Sequence, residues 1–303
     1  MSNPNGPAAF DLNRQNDRCA LIYRAGADHY FKLVGLARKA EVLIVTISAV
    51  IGLIAASIPA VQFDYAFWGL VLAALDASLV YAAIGAYRHA AAEMSDRFDR
   101  YLFSASIPSV ACAPCMDTVT AFAERALANR SDQDRLSNWY DSRLATLPRA
   151  AAHLAGLRIN ALWDTSLRGL YIVIMCSIAA IVAIAGAYLF SRHGFSVERL
   201  VTNVMVPFAP AILWFERELV DQIDARRRKR EFQRQLEAAW RRWRHGGAEA
   251  ETTAGEEADY LQSVLFAYRR SDVSVAGWLY NLTRNRLHAD VTRLMNRIED
   301  GAT

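Results

Sequence analysis

The sequence predicts an all-α integral membrane protein, with four transmembrane helices arranged as two hairpins and a helical cytoplasmic region. Three observations carry that prediction. Three stretches, and a fourth once its flanks are included, are long and apolar enough to cross a bilayer, arginine is spread unevenly between the segments that join them, and no alternating strand pattern of useful length occurs. Composition agrees, since 53% of the 303 residues are hydrophobic and 21% charged. Such a chain is too apolar for an ordinary soluble domain and too charged to lie wholly in lipid.

Residues 1–40 read as a cytoplasmic N-terminal helical segment. They carry Arg14, Arg18, Arg24, Lys32, Arg38 and Lys39 without the short apolar core of a secretory signal. Residues 41–88 form the first hairpin. Val42 to Phe63 has no charge, Tyr65 to Tyr87 is interrupted only by Asp76, and Gln62 to Asp64 joins them. Residues 89–168 are a central cytoplasmic helical region, in which a third helix near Ser131 is expected to contain Leu136, Trp139 and Tyr140. The second hairpin, 169–216, pairs the uncharged Gly169–Ser191 with Leu200–Phe215, which reaches spanning length only with its flanks. A juxtamembrane helix (217–245), an acidic, alanine-rich linker (246–257) and C-terminal cytoplasmic helices (258–303) complete the chain.

Orientation follows from the basic residues. The 62–64 turn has none and the 192–199 turn has two, whereas Arg88 to Arg168 contains ten arginines and the fourth span is followed by Arg217 and the run Arg226–Arg230. Both termini and the central region are therefore expected in the cytoplasm. The run itself suits anionic lipid, so the bilayer is the first expected partner. Small residues recur every four positions in the spans (Ser48, Gly52, Ala56, Ala60; Ala74, Ser78, Ala82, Ala86; Ala179, Ala183, Ala187), which favours close helix packing within one chain or in a homo-oligomer.

One set of residues has a family likeness. Arg158, Asn160, Trp163, Asp164, Leu167, Arg168 and Tyr171 lead directly into the third span and are preceded by Asn138, Trp139 and Tyr140. With Gln15, Asn16, Phe98, Asp99, Phe103, Arg269, Arg270, Trp278 and Tyr280, this pattern resembles the SMODS-associated four-transmembrane effector family of bacterial anti-phage systems, over roughly residues 13–298. The resemblance implies a pore-forming effector of the bacterial inner membrane, encoded beside an enzyme that makes a cyclic oligonucleotide and controlled by that messenger at its cytoplasmic face. Opening and restraint by ligand are equally compatible with the chain, since either needs only unequal affinity for two conformations.

A cyclic di- or trinucleotide offers phosphates to guanidinium groups and flat bases to aromatic faces. Arg135, Trp139, Tyr140, Arg158, Trp163, Arg168, Arg269 and Arg270 are the candidate ligand-binding set. Trp163 and Arg168 also suit the membrane boundary, where Trp anchors and Arg snorkels, and Asp164 and Arg168 are spaced for an intrahelical ion pair. Asp76 in the second span is a candidate pore or gating group, or a protonated or hydrogen-bonded packing residue. Pro207 and Pro210 free the carbonyls of Asn203 and Val206, which suits a pore wall and equally a bent, buried helix.

Enzyme chemistry is not expected, because no glycine-rich phosphate loop, His-Glu-x-x-His or nucleophile elbow occurs. Cys112 and Cys115 have redox spacing without a surrounding βαβ pattern, and no histidines complete a zinc site. The four scattered cysteines suit a reducing compartment, and a net charge of +3 gives no support to a nucleic-acid polymer as partner. The rival reading is a non-conducting membrane scaffold or sensor whose cytoplasmic helices bind partners.

Overall fold

The computed structural model describes residues 10–57, 71, 76–104, 117–193, 206–246, 249–275 and 277–300. Its helices are α1 (Arg18–Ser57), α2 (Tyr81–Phe103), α3 (Asp117–Leu127), α4 (Arg130–Leu136), α5 (Arg149–His193), α6 (Val206–His245), α7 (Ala250–Ser271) and α8 (Gly277–Glu299). A π-helical turn, Asp76–Val80, leads into α2, and 3-10 turns cover Leu12–Asn16 and Ser142–Thr146. No strand occurs among the described residues.

Length divides the long helices into two halves. At about 1.5 Å per residue, a 40-residue helix is about 60 Å long, about twice the hydrocarbon thickness of a bilayer. Helices α1 and α6 have 40 residues and α5 has 45, so each has room for a span and for a half outside the bilayer. The surface is divided in the same way. Val42, Leu43 and Ile47 on α1, Leu79 and Tyr81 at the start of α2, Ile181, Val182 and Ile184 on α5, and Ile212 and Leu213 on α6 are all exposed large apolar residues. They lie at the ends of the helices where the uncharged stretches begin, which is the pattern lipid requires and water opposes. Among the described residues one helix passes a strict test of span length and apolarity, over Arg149–Ala185, and most of its apolar window is unburied, unlike the core helix of a soluble protein. The 62–64 and 192–199 turns and Asn203 lie outside the described residues. Asp76 is described only as backbone in the π turn, and Pro207 and Pro210 only as backbone in α6.

The other halves make a conventional core. Phe98 and Leu102 of α2, Leu154 and Leu157 of α5, Phe232 and Leu236 of α6, and Leu261 and Leu265 of α7 are buried together. Helix α5 passes so close to the end of α2 that a Cβ at Gly156 would come within 3.0 Å of the Phe103 ring. Helix α8 lies along α5, with Leu279 buried against Tyr171 and Met175, and with His288 further along the helix against Trp163.

Four expectations need correction. The stretch 246–257, read as a linker, is helical from Ala250. Its acidic residues have partners, Glu251 accepting from the Ala150 amide (2.8 Å) and the Trp243 indole (3.1 Å) and Glu257 pairing with Arg242, while Ala254 and Ala258 are buried. The third central helix stops at Leu136, before Trp139 and Tyr140, because Asn138 turns to positive φ (50°) and exchanges side-chain and amide hydrogen bonds of 2.9 Å with Asn16. In the basic run, Arg227 and Arg230 are exposed, but Lys229 is fully buried against carboxylates and does not reach lipid. Cys176 is a free thiol whereas Cys19 is disulfide-bonded, a pairing that depends on tertiary distance and leaves no mark in cysteine spacing.

Candidate functional site

The first feature is a polar collar where α1, α2, α5 and α6 leave their apolar ends. Arg38 of α1 pairs with Glu218 of α6 at 2.6 Å, and Arg217 of α6 with Glu41 of α1 at 2.6 Å. Burial works against the Arg38 charge, but Glu218 and Glu41 outweigh it and hold the guanidinium above its ordinary pKa. The chain joining α7 to α8 runs through this collar and is bound by α1, α2, α5 and α6. Arg88 of α2 donates to the Arg270 carbonyl (3.0 Å), Arg168 of α5 to the Val273 carbonyl (2.8 Å) and Arg38 of α1 to the Ser274 carbonyl (3.3 Å), while Arg228 of α6 bonds Asp272 (2.8 Å). Carbonyls at and beyond a helix C-terminus lack intrahelical partners, and here arginines from three other helices supply them, while Arg228 holds the Asp272 carboxylate.

Beneath the connector, Lys229 lies 3.4 Å from Asp164 and 3.5 Å from Asp272, and Arg168 lies 3.1 Å from Asp164. Lys229 and Arg168 thus face two carboxylates. Burial would raise the Asp164 pKa, but Lys229 and Arg168 prevail and hold it below the usual range. Gln222 completes the lattice, accepting from Arg168 (2.7 Å) and donating to Glu218 (2.9 Å).

The second feature centres on Asp99 of α2. Its carboxylate accepts from the Tyr140 hydroxyl (2.7 Å), from Arg269 (2.6 Å) and more distantly from Gln262 (3.4 Å). Asn160 donates to the same hydroxyl at 2.9 Å, and the Tyr140 amide donates to Gln15 at 2.8 Å. Loss of water, followed by the nearby Asp99 charge, pushes the Tyr140 phenol well above its ordinary pKa, so it stays a donor.

Beside Asp99 lies an aromatic group. The Arg24 guanidinium stacks on Trp139 at 3.3 Å and lies 5.4 Å from Phe98. Trp139 meets Trp163 edge-on at 5.9 Å, and Trp163 in turn contacts Tyr280 (5.7 Å) and His288 (5.4 Å) of α8. Arg24 Nε and Trp163 Nε1 are buried without a hydrogen-bond partner. Burial pushes the Arg24 pKa down to about 10, which leaves it a cation at neutral pH.

The structure sorts the predicted residues accordingly. Trp139, Trp163, Tyr140 and Arg269 come together around Asp99 and Arg24. Arg135 is bound bidentately to Asp28 (2.8 Å twice), Arg168 belongs to the collar, where its ion pair with Asp164 forms, and Arg158 stands apart against Trp240 (5.4 Å). Arg270 contributes its carbonyl to the collar and exposes its side chain. Residue patterns alone did not single out Arg24, Lys229, Asp272, Arg38 or Glu218. Their partners are distant in sequence, Arg38 and Glu218 lying 180 residues apart, so no local spacing marks them. Among the described residues no group of His, Cys, Asp and Glu is placed to hold a metal.

Comparison with known proteins adds one match. The profile of the SMODS-associating 4TM effector domain covers residues 12–298. No curated protein and no solved structure matches the chain.

Proposed function

The chain belongs to the SMODS-associating 4TM effector family and is thus a membrane-embedded effector of an anti-phage defence system, and on that premise we propose that it is a ligand-controlled pore. In this reading four helices cross the bacterial inner membrane as two hairpins, both termini and the central region are cytoplasmic, and several copies assemble around a conducting path. A cyclic di- or trinucleotide bound by the cytoplasmic helices sets the equilibrium between closed and conducting forms, and the protein acts without catalysis, by breaching the membrane.

The observation that carries the reading is the α7–α8 connector. It is hydrogen-bonded to α1, α2, α5 and α6, and the residue before its first bonded carbonyl is Arg269, which pairs with Asp99 beside the aromatic group. A shift at the cytoplasmic cluster is thereby tied covalently to the collar that holds the four helices together. Only unequal ligand affinity for two collar arrangements is then needed for control.

Dye release and ionic current from liposomes containing the full chain, scanned against a panel of cyclic di- and trinucleotides, test this. Flux that changes with one of the ligands is expected. Correctly inserted protein that is silent under every ligand would replace the pore by a non-conducting scaffold.

A further inference from the structure

We infer that Arg24, stacked on Trp139 and adjoining Trp163, is an anion site that takes a phosphodiester of the ligand, with a base stacking on the indoles. The inference rests on the nucleotide-controlled reading above and names the place where that control begins.

Charge balance is the first reason. The charged groups that bear on Arg24 are Asp99, Arg269 and Asp28. Asp99 is already the acceptor for Tyr140, Arg269 and Gln262, and Asp28 is held by both guanidinium nitrogens of Arg135 and by Lys32. Arg24 itself forms no ion pair or hydrogen bond among the described residues, and its Nε is buried without a partner. A desolvated guanidinium whose neighbouring carboxylates are committed elsewhere leaves the cluster short of negative charge. An anion arriving from solution supplies it.

Preorganisation is the second. The residues on either side of Trp139 are pinned, Asn138 by Asn16 and Tyr140 by Gln15, so the indole is held in place without contributing a hydrogen bond of its own to the bend. A rigid indole bearing a guanidinium on one face, with a second indole at its edge, offers both parts of a nucleotide a partner: the fork for phosphate oxygens and the ring surface for a base.

Position is the third. Arg24 precedes Arg38 on the same helix by a distance of about 21 Å at 1.5 Å per residue, so a phosphate seated there does not come from a lipid headgroup at the collar. It comes from a soluble molecule. Trp163 also touches Tyr280 and His288, so a base in this group bears on α8 and, through it, on the connector.

Equilibrium dialysis of the detergent-solubilised full chain against the cyclic di- and trinucleotide panel tests the site. For the panel member that the wild type binds, R24A should weaken affinity by roughly 10- to 100-fold, the loss of one charge-assisted contact, R24K should recover part of it, W139L should weaken it, and R135A should stay within about twofold. Crosslinking of an azido-base analogue to the wild type gives a reading that does not depend on variant folding, with adducts expected on the peptides carrying Trp139 or Trp163. Unaltered binding by both R24A and W139L, or adducts confined to other peptides, overturns the site while leaving nucleotide control intact. A folded wild type that binds no panel member overturns nucleotide control, and this site with it.

Discussion

Two charged clusters occupy the polar half of this protein, made of the same kinds of side chain and differing in whether every cation is held. At the collar, Lys229, Arg168 and Arg228 face Asp164 and Asp272, and Arg168, Arg38 and Arg88 donate to carbonyls of the connector, so each of these cations has an acceptor in contact. Around Asp99, two guanidiniums share one carboxylate that already serves a phenol and an amide. The first arrangement is closed and acts as a lock. The second is open, and the same chemistry there becomes a receptor. Buried charge alone therefore does not mark a binding site; whether each cation has an acceptor in contact separates the two cases.

The largest test of this contrast is Lys229→Met. Removing one partner of a buried ion group typically costs about 3–5 kcal/mol, so a comparable loss of stability in denaturant titration of the solubilised protein is expected, together with loosening of α8. A change under about 1 kcal/mol, less than a buried charge pair should show, would mean that the collar is not closed. Tyr140→Phe takes a neutral donor from Asp99, and a bond to a charged group contributes about 1.5–3 kcal/mol. Its melting temperature should fall by less than that of Lys229→Met, because Arg269 stays in place. A double-mutant cycle on Arg38→Gln and Glu218→Gln should give a coupling of about 1–3 kcal/mol, as for buried neighbours. Near-zero coupling would detach α6 from α1 at the collar.

Smaller effects probe the edges of the comparison. His153 lies buried against Phe103 (5.2 Å) and 3.9 Å from Asp259, and burial lowers its pKa below the usual 6.5. The unfolded chain then binds more protons than the folded one between the two pKa values. Stability should be complete above about 6.5 and should fall as pH drops through that window, by at most about 1.4 kcal/mol per pH unit for one group. His153→Phe should remove this slope; a slope unchanged by that substitution would assign it to another group. The Arg135–Asp28 pair is much more exposed (side chains 40% and 22% accessible). Arg135→Ala should cost no more than about 1 kcal/mol, in keeping with surface pairs, and a larger loss would place α4 inside the cooperative core.

Much of this arrangement was legible in the chain. The run of helix from Arg149 into the third apolar stretch, the long helix ending before Gly246 and the last helix stand where periodicity puts them, while the helix before it starts earlier than expected, at Ala250. The Asp164–Arg168 pair was also readable, because a four-residue spacing on a helix is itself a distance. Trp139 and Trp163 were candidates and do meet. Arg135 and Arg168 had the right chemistry but were already committed to Asp28 and to the connector, and sequence cannot show who holds an arginine. The acidic segment after Gly246 has the composition of a linker, yet it folds because Ala254 and Ala258 find an apolar surface and Glu251 finds donors on two other helices.

By itself, the sequence determined the properties that depend on neighbours along the chain: helical periodicity, apolar length, the bias of arginine between segments and the motif pattern of the family. These follow from local geometry and from the cost of placing charge in lipid, which one dimension records faithfully. Tertiary structure alone decided which charges are balanced. Arg38 meets Glu218 and Arg269 meets Asp99 across 180 and 170 residues, and Arg24 is left without an anion because Arg135, Lys32, Arg269 and Tyr140 have taken the carboxylates around it. Coulomb energy falls with distance in space, and the chain order holds no record of that distance until the helices pack.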